Sequence, residues 1–213
     1  MIDPHRFDIY MDSIADDMPD TLRAIEEAAL LEGIPIIRGN VRRMLRLLLT
    51  LKNPLNVLEI GTGVGFSAVY MCQYGDRDMR ITTIEKDERR FCDIRSNIEK
   101  AGCASRIEFI PGDAGDILPR LKGSYDFIFM DAAKGQYINF LPDAKRLLDR
   151  GGILFSDNVL RDGDILESRY ALERRNRTIH RRMREYMSAI VNDPELSTQV
   201  FLMDDGMAVS VKR

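Results

Sequence analysis

From residue 56 onward, the chain alternates short apolar runs with longer stretches of helical character. The five runs are "NVLEI" (56–60), "ITTIE" (81–85), "RIEFI" (106–110), "YDFIFM" (125–130) and "GILFS" (152–156). Helix candidates lie between them near 66–75, 88–101, 114–121 and 136–148, each long enough for a right-handed crossover between parallel strands. Such alternation is typical of βα units, so the sequence predicts an α/β fold with a mainly parallel sheet.

The two ends of the chain follow other patterns. Before the first strand, apolar residues at helical spacing predict one helix over 20–33, ended by Gly33, and a second helix after Asn40. Near the C-terminus, "TQVFLM" (198–203) and "MAVSVK" (207–212) alternate in polarity and are joined by "DDG" (204–206). This pattern predicts a β-hairpin that closes the sheet with an antiparallel edge.

Length and composition set the scale of the protein. With 213 residues and 45% hydrophobic content, the chain can form one sizeable core, so we expect a single domain over 1–213 in which the helices of 1–52 pack on that core. The formal net charge of −3 provides no overall positive field for nucleic acid or an anionic membrane. The 3 cysteines form no CxxC pair, and no apolar run approaches the ~20 residues of a membrane span. These features predict a soluble, cytoplasmic protein.

A glycine-rich loop follows the first predicted strand. In "LEIGTGVGF" (58–66), Gly61, Gly63 and Gly65 stand before the next helix, where the backbone must either turn tightly or approach a ligand closely. The dinucleotide pattern GxGxxG would need glycine at the position of Phe66, which disfavours a nicotinamide-dependent oxidoreductase. The acid two residues ahead of GxGxG, Glu59, resembles instead the S-adenosylmethionine (SAM) loop of class I methyltransferases. SAM is cationic at its sulfonium and amino groups, which suits a nearby acid.

The next two strands end in residues that suit the same ligand. Glu85 ends the second strand, about 20 residues beyond the glycines, where a carboxylate can accept hydrogen bonds from two ribose hydroxyls. After the third strand, Asp113 and Ala114 in "PGDAGD" resemble the adenine-binding corner of the class I methyltransferases. Three consecutive strand ends therefore favour SAM as the cofactor.

The fourth and fifth strands end in oxygen-bearing side chains. Asp131 follows the fourth strand, and Asp157 and Asn158 follow the fifth. Although Asp and Asn are common in turns, the carboxyl ends of parallel strands meet at one edge of the sheet, where two carboxylates would repel each other without a cation. Hard oxygen ligands of this kind suit Mg²⁺. Lys134 lies close enough in sequence to accept a proton from a hydroxyl activated there.

Together these motifs resemble the metal-dependent O-methyltransferases that include catechol and caffeoyl-CoA O-methyltransferases. The resemblance covers about residue 20 to the C-terminus and lies in "EIGTGVGFSA", "IEKD", "GDA", "DAAK" and "SDN". It implies a Rossmann-like, seven-stranded sheet with the last strand reversed, helices on both faces, and a homodimer. It also implies that Asp131, Asp157 and Asn158 hold the metal and that Lys134 is the catalytic base. The residues implied to surround SAM are Glu59, Gly61, Gly63, Ser67, Glu85, Asp113, Ala114 and Asp131.

Within that family, "DAAKGQY", "SDNVL" and "DDGMAVSVKR" are most similar to a bacterial branch that includes tRNA 5-hydroxyuridine methyltransferase. The C4 carbonyl and C5 hydroxyl of 5-hydroxyuridine are vicinal, as are the two oxygens of a catechol. The chain contains no Trp, whereas catechol enzymes enclose their acceptor with tryptophan, and "IPIIRGN" (34–40) also departs from the family pattern. The resemblance therefore slightly favours hydroxyuridine in tRNA over a small phenolic or CoA-linked acceptor.

An arginine-rich segment, "RDGDILESRYALERRNRTIHRRMR" (161–184), follows the proposed metal-binding residues. Its helical spacing predicts a basic stripe that either binds phosphates of RNA or CoA or is simply solvated. The tentative substrate residues are Arg161, Arg174, Arg177 and Arg181. Tyr137 and Tyr170 either stack on a base or are core residues. A non-catalytic RNA-binding module with a SAM-type fold is the alternative from another functional class.

Overall fold

The computed structural model describes residues 4–15, 18–160, 163–168 and 173–213, and its centre is a seven-stranded sheet. The strands are β1 (Asn56–Ile60), β2 (Arg80–Glu85), β3 (Ile107–Pro111), β4 (Tyr125–Met130), β5 (Leu148–Asp157), β6 (Leu196–Phe201) and β7 (Met207–Lys212). Their order across the sheet is β3-β2-β1-β4-β5-β7-β6. The first five strands run parallel, and β7 runs antiparallel to both of its neighbours.

This sheet confirms the predicted fold, a mostly parallel α/β sheet with a reversed C-terminal strand. The predicted hairpin is present, but its second strand does not form the edge. β7 inserts between β5 and β6, so that Asp157 at the end of β5 pairs with Met207 at the start of β7. The hairpin turn consequently lies beside the carboxyl end of β5.

Helices cover both faces of the sheet. Among the described residues they are α1 (Pro4–Ser13), α2 (Asp20–Leu31), α3 (Gly39–Lys52), α4 (Phe66–Tyr74), α5 (Phe91–Lys100), α6 (Ala114–Ile117), α7 (Tyr137–Leu147) and α8 (Arg177–Asn192). The predicted helices are all found, although four of the described helices begin or end in a 3₁₀ turn: Glu88–Arg90, Leu118–Arg120, Lys134–Gln136 and Arg174–Asn176. None of the described helices has the length and apolar character needed to cross a membrane.

The core consists of two apolar layers, one on each side of the sheet. Val57, Phe127 and Phe129 face the layer that contains α2, α3, α4 and α5. Leu58 and Ile128, their neighbours along the strands, face the layer formed with α7 and α8. Because both faces are covered, the parallel strands are apolar along most of their length. Buried polar residues such as Thr83 and Ser156 are exceptions, and the predicted acids other than Glu59 lie at the strand ends or just after them.

The registers align those strand ends along one edge. Ile60 of β1 pairs with Ile84 of β2 and Met130 of β4, so the segments that follow these strands leave the sheet side by side. Between β1 and β4 the order of strands along the chain reverses, and such a switch point leaves a crevice in which ligands of open α/β sheets bind. The candidate site lies in this crevice.

Candidate active site

A cavity of about 520 Å³ opens at the carboxyl edge of the sheet. It is large enough for a cofactor or a drug-sized ligand. Residues predicted from five different strand ends meet on its walls: Gly61, Gly63, Ser67, Glu85, Asp113, Ala114, Asp131, Lys134, Asp157 and Asn158. The structure therefore brings together the predicted cofactor, metal and catalytic residues in one cavity, with the exception of Glu59.

The glycine loop needs glycine for two physical reasons. Gly61 has φ of 89°, and a Cβ on it would lie 2.3 Å from the carbonyl oxygen of Asp131. Its N–H donates to the carbonyl of Ile84 at 2.9 Å, which fixes the loop above the end of β2. The loop thus packs directly against the backbone that carries the Asp131 carboxylate, so the glycine wall and the acidic wall of the cavity are in contact.

Glu59 lies behind the cavity wall and not on it. Its side chain is 0% exposed, the hydroxyl of Thr83 donates to Oε2, and Oε1 has no hydrogen-bond partner among the described residues. Burial raises the pKa of Glu59 to about 7, and nearby hydroxyls, including that of Ser67, oppose the rise. Because Ser67 does line the cavity, Glu59 is adjacent to the predicted cofactor pocket without forming part of its surface.

Glu85 and Asp113 are both partly committed to backbone contacts. Glu85 Oε2 accepts from the N–H of Gly63 at 3.0 Å, while Oε1 accepts from the N–H groups of Lys86 and Asp87 at 2.8 and 2.9 Å. Asp113 accepts from the N–H of Gly115 at 2.8 Å. Each carboxylate keeps lone pairs for a ligand, because a carboxylate offers about four acceptor sites. These contacts orient both side chains toward the cavity.

Lys134 is held by three oxygen atoms. Its Nζ donates to Asp131 Oδ1 at 2.7 Å and to the hydroxyl of Tyr137 at 3.0 Å, and it lies 3.5 Å from the carbonyl oxygen of Asp157. Its side chain is 21% exposed, so it is partly open to solvent. A lysine in a 3₁₀ turn directly after β4 is thereby fixed beside the two acids.

Tyr137 supports this lysine and does not reach the cavity. It is 0% exposed, and its hydroxyl lies 2.9 Å from the carbonyl oxygen of Met130 and 3.0 Å from that of Asp157. Burial raises its pKa well above 10.0, so it stays a neutral phenol. The predicted stacking of Tyr137 on a base is therefore wrong in this structure, because the ring is enclosed by protein. Tyr170 lies outside the described residues.

Asp157 is a cavity acid whose surroundings disfavour its charged form. It is 2% exposed, and burial, together with the charge of Asp131, raises its pKa to about 7. Lys134 and the N–H of Asn158, which donates at 2.7 Å, oppose the rise but do not cancel it. Asn158 itself has φ of 52°, a left-handed conformation that asparagine tolerates better than most residues. A cation between these groups would relieve the repulsion.

The chemistry of this donor set fits a hard divalent cation. Asp131, Asp157 and Asn158 line the same cavity and offer carboxylate and amide oxygens, which Mg²⁺ prefers. In the part of the chain that the structure describes, no group of three or more His, Cys, Asp or Glu side chains is arranged to hold a metal. The predicted set contains only two such residues, so water or acceptor oxygens would have to complete the coordination.

Comparisons with known proteins identify the relatives of this fold and site. Residues 20–213 match the profile of the O-methyltransferase family. The chain belongs to the O-methyltransferase family. Catechol O-methyltransferase of Niastella koreensis is 34% identical over 166 residues, which is 75% of each chain. Caffeoyl-CoA O-methyltransferase 5 of Nicotiana tabacum is 31% identical, over 78% of this chain and 72% of that protein.

A solved O-methyltransferase has the same architecture. The enzyme from Bacillus cereus in complex with SAH superposes with a TM-score of 0.86, at 25% identity and over 98% of this chain and 97% of that one. The sequence prediction of the family is thus confirmed at the level of O-methyltransferases.

Two walls of the O-methyltransferase cavity were not assigned from the sequence. The first is the segment from Pro35 to Arg38 together with Val41, which lines the cavity although its departure from the family pattern had left its contribution open. The second is the hairpin turn, where Asp204 and Asp205 also line the cavity. The insertion of β7 beside β5 is what places this turn at the site, and "DDG" alone indicated no more than a turn.

The hairpin turn is tied to the segment after Asp157. The N–H of Val159 donates to the carbonyl of Gly206 at 2.9 Å, and the N–H of Leu160 donates to that of Asp205 at 2.8 Å. Asp204 Oδ1 accepts from Asn40 at 3.3 Å, and its Oδ2 has no partner among the described residues. Asn40 also donates to Asp8 of α1 at 2.8 Å. These bonds connect α1, α3 and the turn around the cavity mouth.

The described arginines that were predicted to bind substrate do not line the cavity of the O-methyltransferase. Arg174, Arg177 and Arg181 are not among the residues that line it, and Arg161 lies outside the described residues. Arg181 forms an ion pair of 2.6 Å with Glu185, which offsets part of the stripe's charge. The nearest connection is through Arg182, which donates to the carbonyl of Gly135 at 3.1 Å and so braces the Lys134 turn.

Proposed function

We propose that the protein transfers a methyl group from SAM to one of two vicinal oxygens of its acceptor, with the help of a divalent cation, Mg²⁺. The observation that carries this proposal is the meeting, in one cavity, of the glycine-loop residues with Asp131, Asp157, Asn158 and Lys134. Methyl transfer needs a donor pocket, an activated oxygen and a base within one enclosure, and these residues supply the corresponding groups.

The donor half of the cavity is suited to SAM. The B. cereus relative in complex with SAH, the product that SAM leaves behind, supports this assignment. Glu85 retains acceptor capacity for ribose hydroxyls, and Asp113 and Ala114 form the next strand end. The acidic residues of the cavity favour a donor that carries positive charge at its sulfonium and amino groups.

The acceptor half depends on Asp131, Asp157 and Asn158. A divalent cation bound by these oxygens would lower the pKa of an acceptor hydroxyl and stabilise the developing oxyanion. The raised pKa of Asp157 supports a cation at this position, since a buried acid repelled by Asp131 gains most from a positive neighbour. In this proposal the acids bind the cation and fix its position, and they take no part in the transfer of the proton or the methyl group.

Lys134 is the proposed base. The acceptor oxygen attacks the methyl carbon, the bond from that carbon to sulfur breaks, and the hydroxyl proton passes to the neutral form of the Lys134 amine. The hydrogen bond from Nζ to the Tyr137 hydroxyl keeps the amine at the cavity wall. Fixed positions of base and donor lower the barrier chiefly through orientation.

Two acceptor classes are candidates. The names of the relatives support a catechol or a caffeoyl-CoA type of acceptor. The motif likeness to the tRNA branch supports 5-hydroxyuridine, and the basic residues on α8 and before it would suit phosphates of RNA or of CoA. The absence of Trp, which would weaken the grip on a small flat ring, slightly favours hydroxyuridine in tRNA.

The discriminating experiment offers purified protein, SAM and Mg²⁺ to catechol, caffeoyl-CoA and tRNA that contains 5-hydroxyuridine, and identifies products by mass spectrometry. We expect a gain of one methyl group on an oxygen, loss of turnover in Lys134→Ala, and normal turnover in Lys122→Ala, an exposed lysine outside the cavity. Methylation of the nucleoside alone selects the tRNA function. No methylated product from any of the three acceptors would reject the proposed chemistry.

A non-catalytic RNA-binding role makes the opposite prediction, since RNA binding would then survive Asp157→Asn while no acceptor is methylated. The homodimer and the cytoplasmic location also stay predictions. Light scattering of the purified protein at several concentrations would test the first, and fractionation of the source cells would test the second.

A further inference from the structure

The positive charges on the cavity wall are not equivalent. Among the described residues, three basic side chains line the cavity: Arg38, Lys86 and Lys134. Lys134 is paired with Asp131 at 2.7 Å, and Lys86 lies 3.7 Å from Asp113. Arg38 has no ion pair or side-chain hydrogen bond within the described ranges. It is therefore the cavity-lining cation with its charge available for a ligand.

Arg38 differs in this respect from the next arginines on the same helix. Arg42 forms an ion pair of 2.7 Å with Glu26, and Arg43 forms one of 2.7 Å with Asp12. Arg42 and Arg43 are therefore neutralised by acids of α2 and α1, and these two ion pairs attach α3 to both helices. Arg38, the residue that precedes α3, is exposed and faces the cavity instead. A role in holding the helices together accounts for the two paired arginines but not for Arg38.

The position of Arg38 relates it to the acceptor half of the cavity. Two residues later, Asn40 donates to Asp204 in the hairpin turn at 3.3 Å. The same turn is hydrogen bonded to Val159 and Leu160, which follow Asp157 and Asn158. A short path of contacts therefore leads from the beginning of α3 to the proposed cation-binding residues. Arg38 lines the same cavity as Asp157 and Lys134, so an acceptor bound in that cavity shares it with the Arg38 guanidinium.

We propose that Arg38 binds an anionic group, a phosphate or a carboxylate, carried by the acceptor. This inference rests on the proposed function and narrows its substrate class to vicinal-oxygen acceptors that bear a negative charge. A guanidinium can donate two parallel hydrogen bonds to either kind of anion, which gives orientation as well as affinity. The carboxylate of the methionine part of SAM is the other source of the same chemistry, and the experiment separates the two.

The experiment uses two pairs of acceptors that differ only in charge: 3,4-dihydroxybenzoate with catechol, and 5-hydroxyuridine 5′-monophosphate with 5-hydroxyuridine. Binding of each compound to the SAH-loaded protein with Mg²⁺ is measured by calorimetry, and kcat/KM is measured with SAM. The proteins are wild type, Arg38→Gln, Arg38→Lys and Arg150→Gln. Arg150 is a matched control, since it is exposed near the beginning of β5, at the opposite edge of the sheet.

We expect wild type to prefer the charged member of a pair, and Arg38→Gln to lose roughly tenfold to a hundredfold in affinity and kcat/KM for that member alone. Arg38→Lys should recover part of the preference, and Arg150→Gln should retain all of it. SAH affinity should be the same in all four proteins.

If wild type and Arg38→Gln both show the same affinity and kcat/KM for the charged and the neutral acceptor of a pair, the inference is overturned. A loss of SAH affinity in Arg38→Gln with unchanged acceptor preference would assign Arg38 to the donor carboxylate and overturn it as well. Failure of the proposed function has a different signature, because then neither these four compounds nor caffeoyl-CoA nor tRNA that contains 5-hydroxyuridine is methylated by any of the proteins.

Discussion

The buried carboxyl of Glu59, next to the glycine loop, allows a quantitative test of how burial changes the pKa of an acid and the stability of the protein. Its carboxyl is fully buried beneath Ser67 and Thr83, with one oxygen unpartnered among the described residues. The pKa of Glu59 rises from 4.5 to about 7 on folding, mainly because burial disfavours the charged form. The folded protein therefore holds this proton more tightly than the unfolded chain does. Glu59 contributes stability that is fully present below about pH 4.5 and is lost as the pH rises through about 7.

The size of the effect follows from the pKa difference. A change from 4.5 to about 7 corresponds to about 3 kcal/mol in the free energy of unfolding, of which about 2 to 3 kcal/mol falls between about pH 5 and about pH 8. Glu59→Gln replaces the acid with a neutral side chain of the same shape. The variant should match wild type near pH 5 and exceed it by about 2 to 3 kcal/mol near pH 8.

Urea denaturation of both proteins at several pH values, in EDTA and without cofactor, measures this difference. Asp157 also has a pKa raised to about 7, but it titrates in both proteins and so cancels in the comparison. Asp157→Asn serves as the control and should retain the pH dependence that Glu59 causes. If the curves of wild type and Glu59→Gln run parallel from pH 5 to pH 8, the idea of a strained carboxyl behind the loop is refuted.

Two further predictions concern the cavity walls. Gly61→Ala forces a Cβ to 2.3 Å from the Asp131 carbonyl oxygen, so it should destabilise the protein by more than about 2 kcal/mol and abolish SAH binding in calorimetry. Gly102→Ala, with a similar φ of 67° but no atom within 4 Å, should cost only about 1 to 2 kcal/mol and leave SAH binding intact; equal losses would contradict the steric argument. Tyr137→Phe removes the hydroxyl that holds Lys134 and should lower both kcat and stability, the latter by about 1 to 3 kcal/mol, without changing SAH affinity. Tyr186→Phe, which breaks a buried bond to Ser156, should cost similar stability but not kcat, and an equal fall in kcat would refute the role of Tyr137.

The strand ends explain why much of the site could be predicted from the sequence. Glu85, Asp113, Asp131 and Asp157 each lie at the end of a strand or within two residues after it, and in a parallel sheet the same end of every strand meets at one edge. For these residues, a position after an apolar run in the sequence therefore also fixes a position at the carboxyl edge of the sheet. The positions of the helices were predicted for the same reason, because crossovers must connect the strands.

The parts that escaped prediction depend on contacts distant in sequence. Asp204 reaches the cavity only because β7 inserts between β5 and β6, and a hairpin pattern does not specify which of its strands pairs with the sheet. Tyr137 looked like a candidate for stacking, but burial against Tyr186, with ring centroids 5.3 Å apart, removed its face from the cavity. Glu59 was predicted among the residues around SAM, but its side chain is fully buried and does not line the cavity.

The central claim is that a divalent cation is held by Asp131, Asp157 and Asn158 next to the methyl donor. Titration of the SAH-loaded protein with Mn²⁺, followed by electron paramagnetic resonance, tests it without requiring the true acceptor. We expect one Mn²⁺ bound per chain, displaced by Mg²⁺, with affinity at least about tenfold weaker in Asp157→Asn and unchanged in the control Asp143→Asn, whose side chain lies outside the cavity. Mn²⁺ binding that is absent in wild type, or equally strong in Asp157→Asn, would contradict the claim.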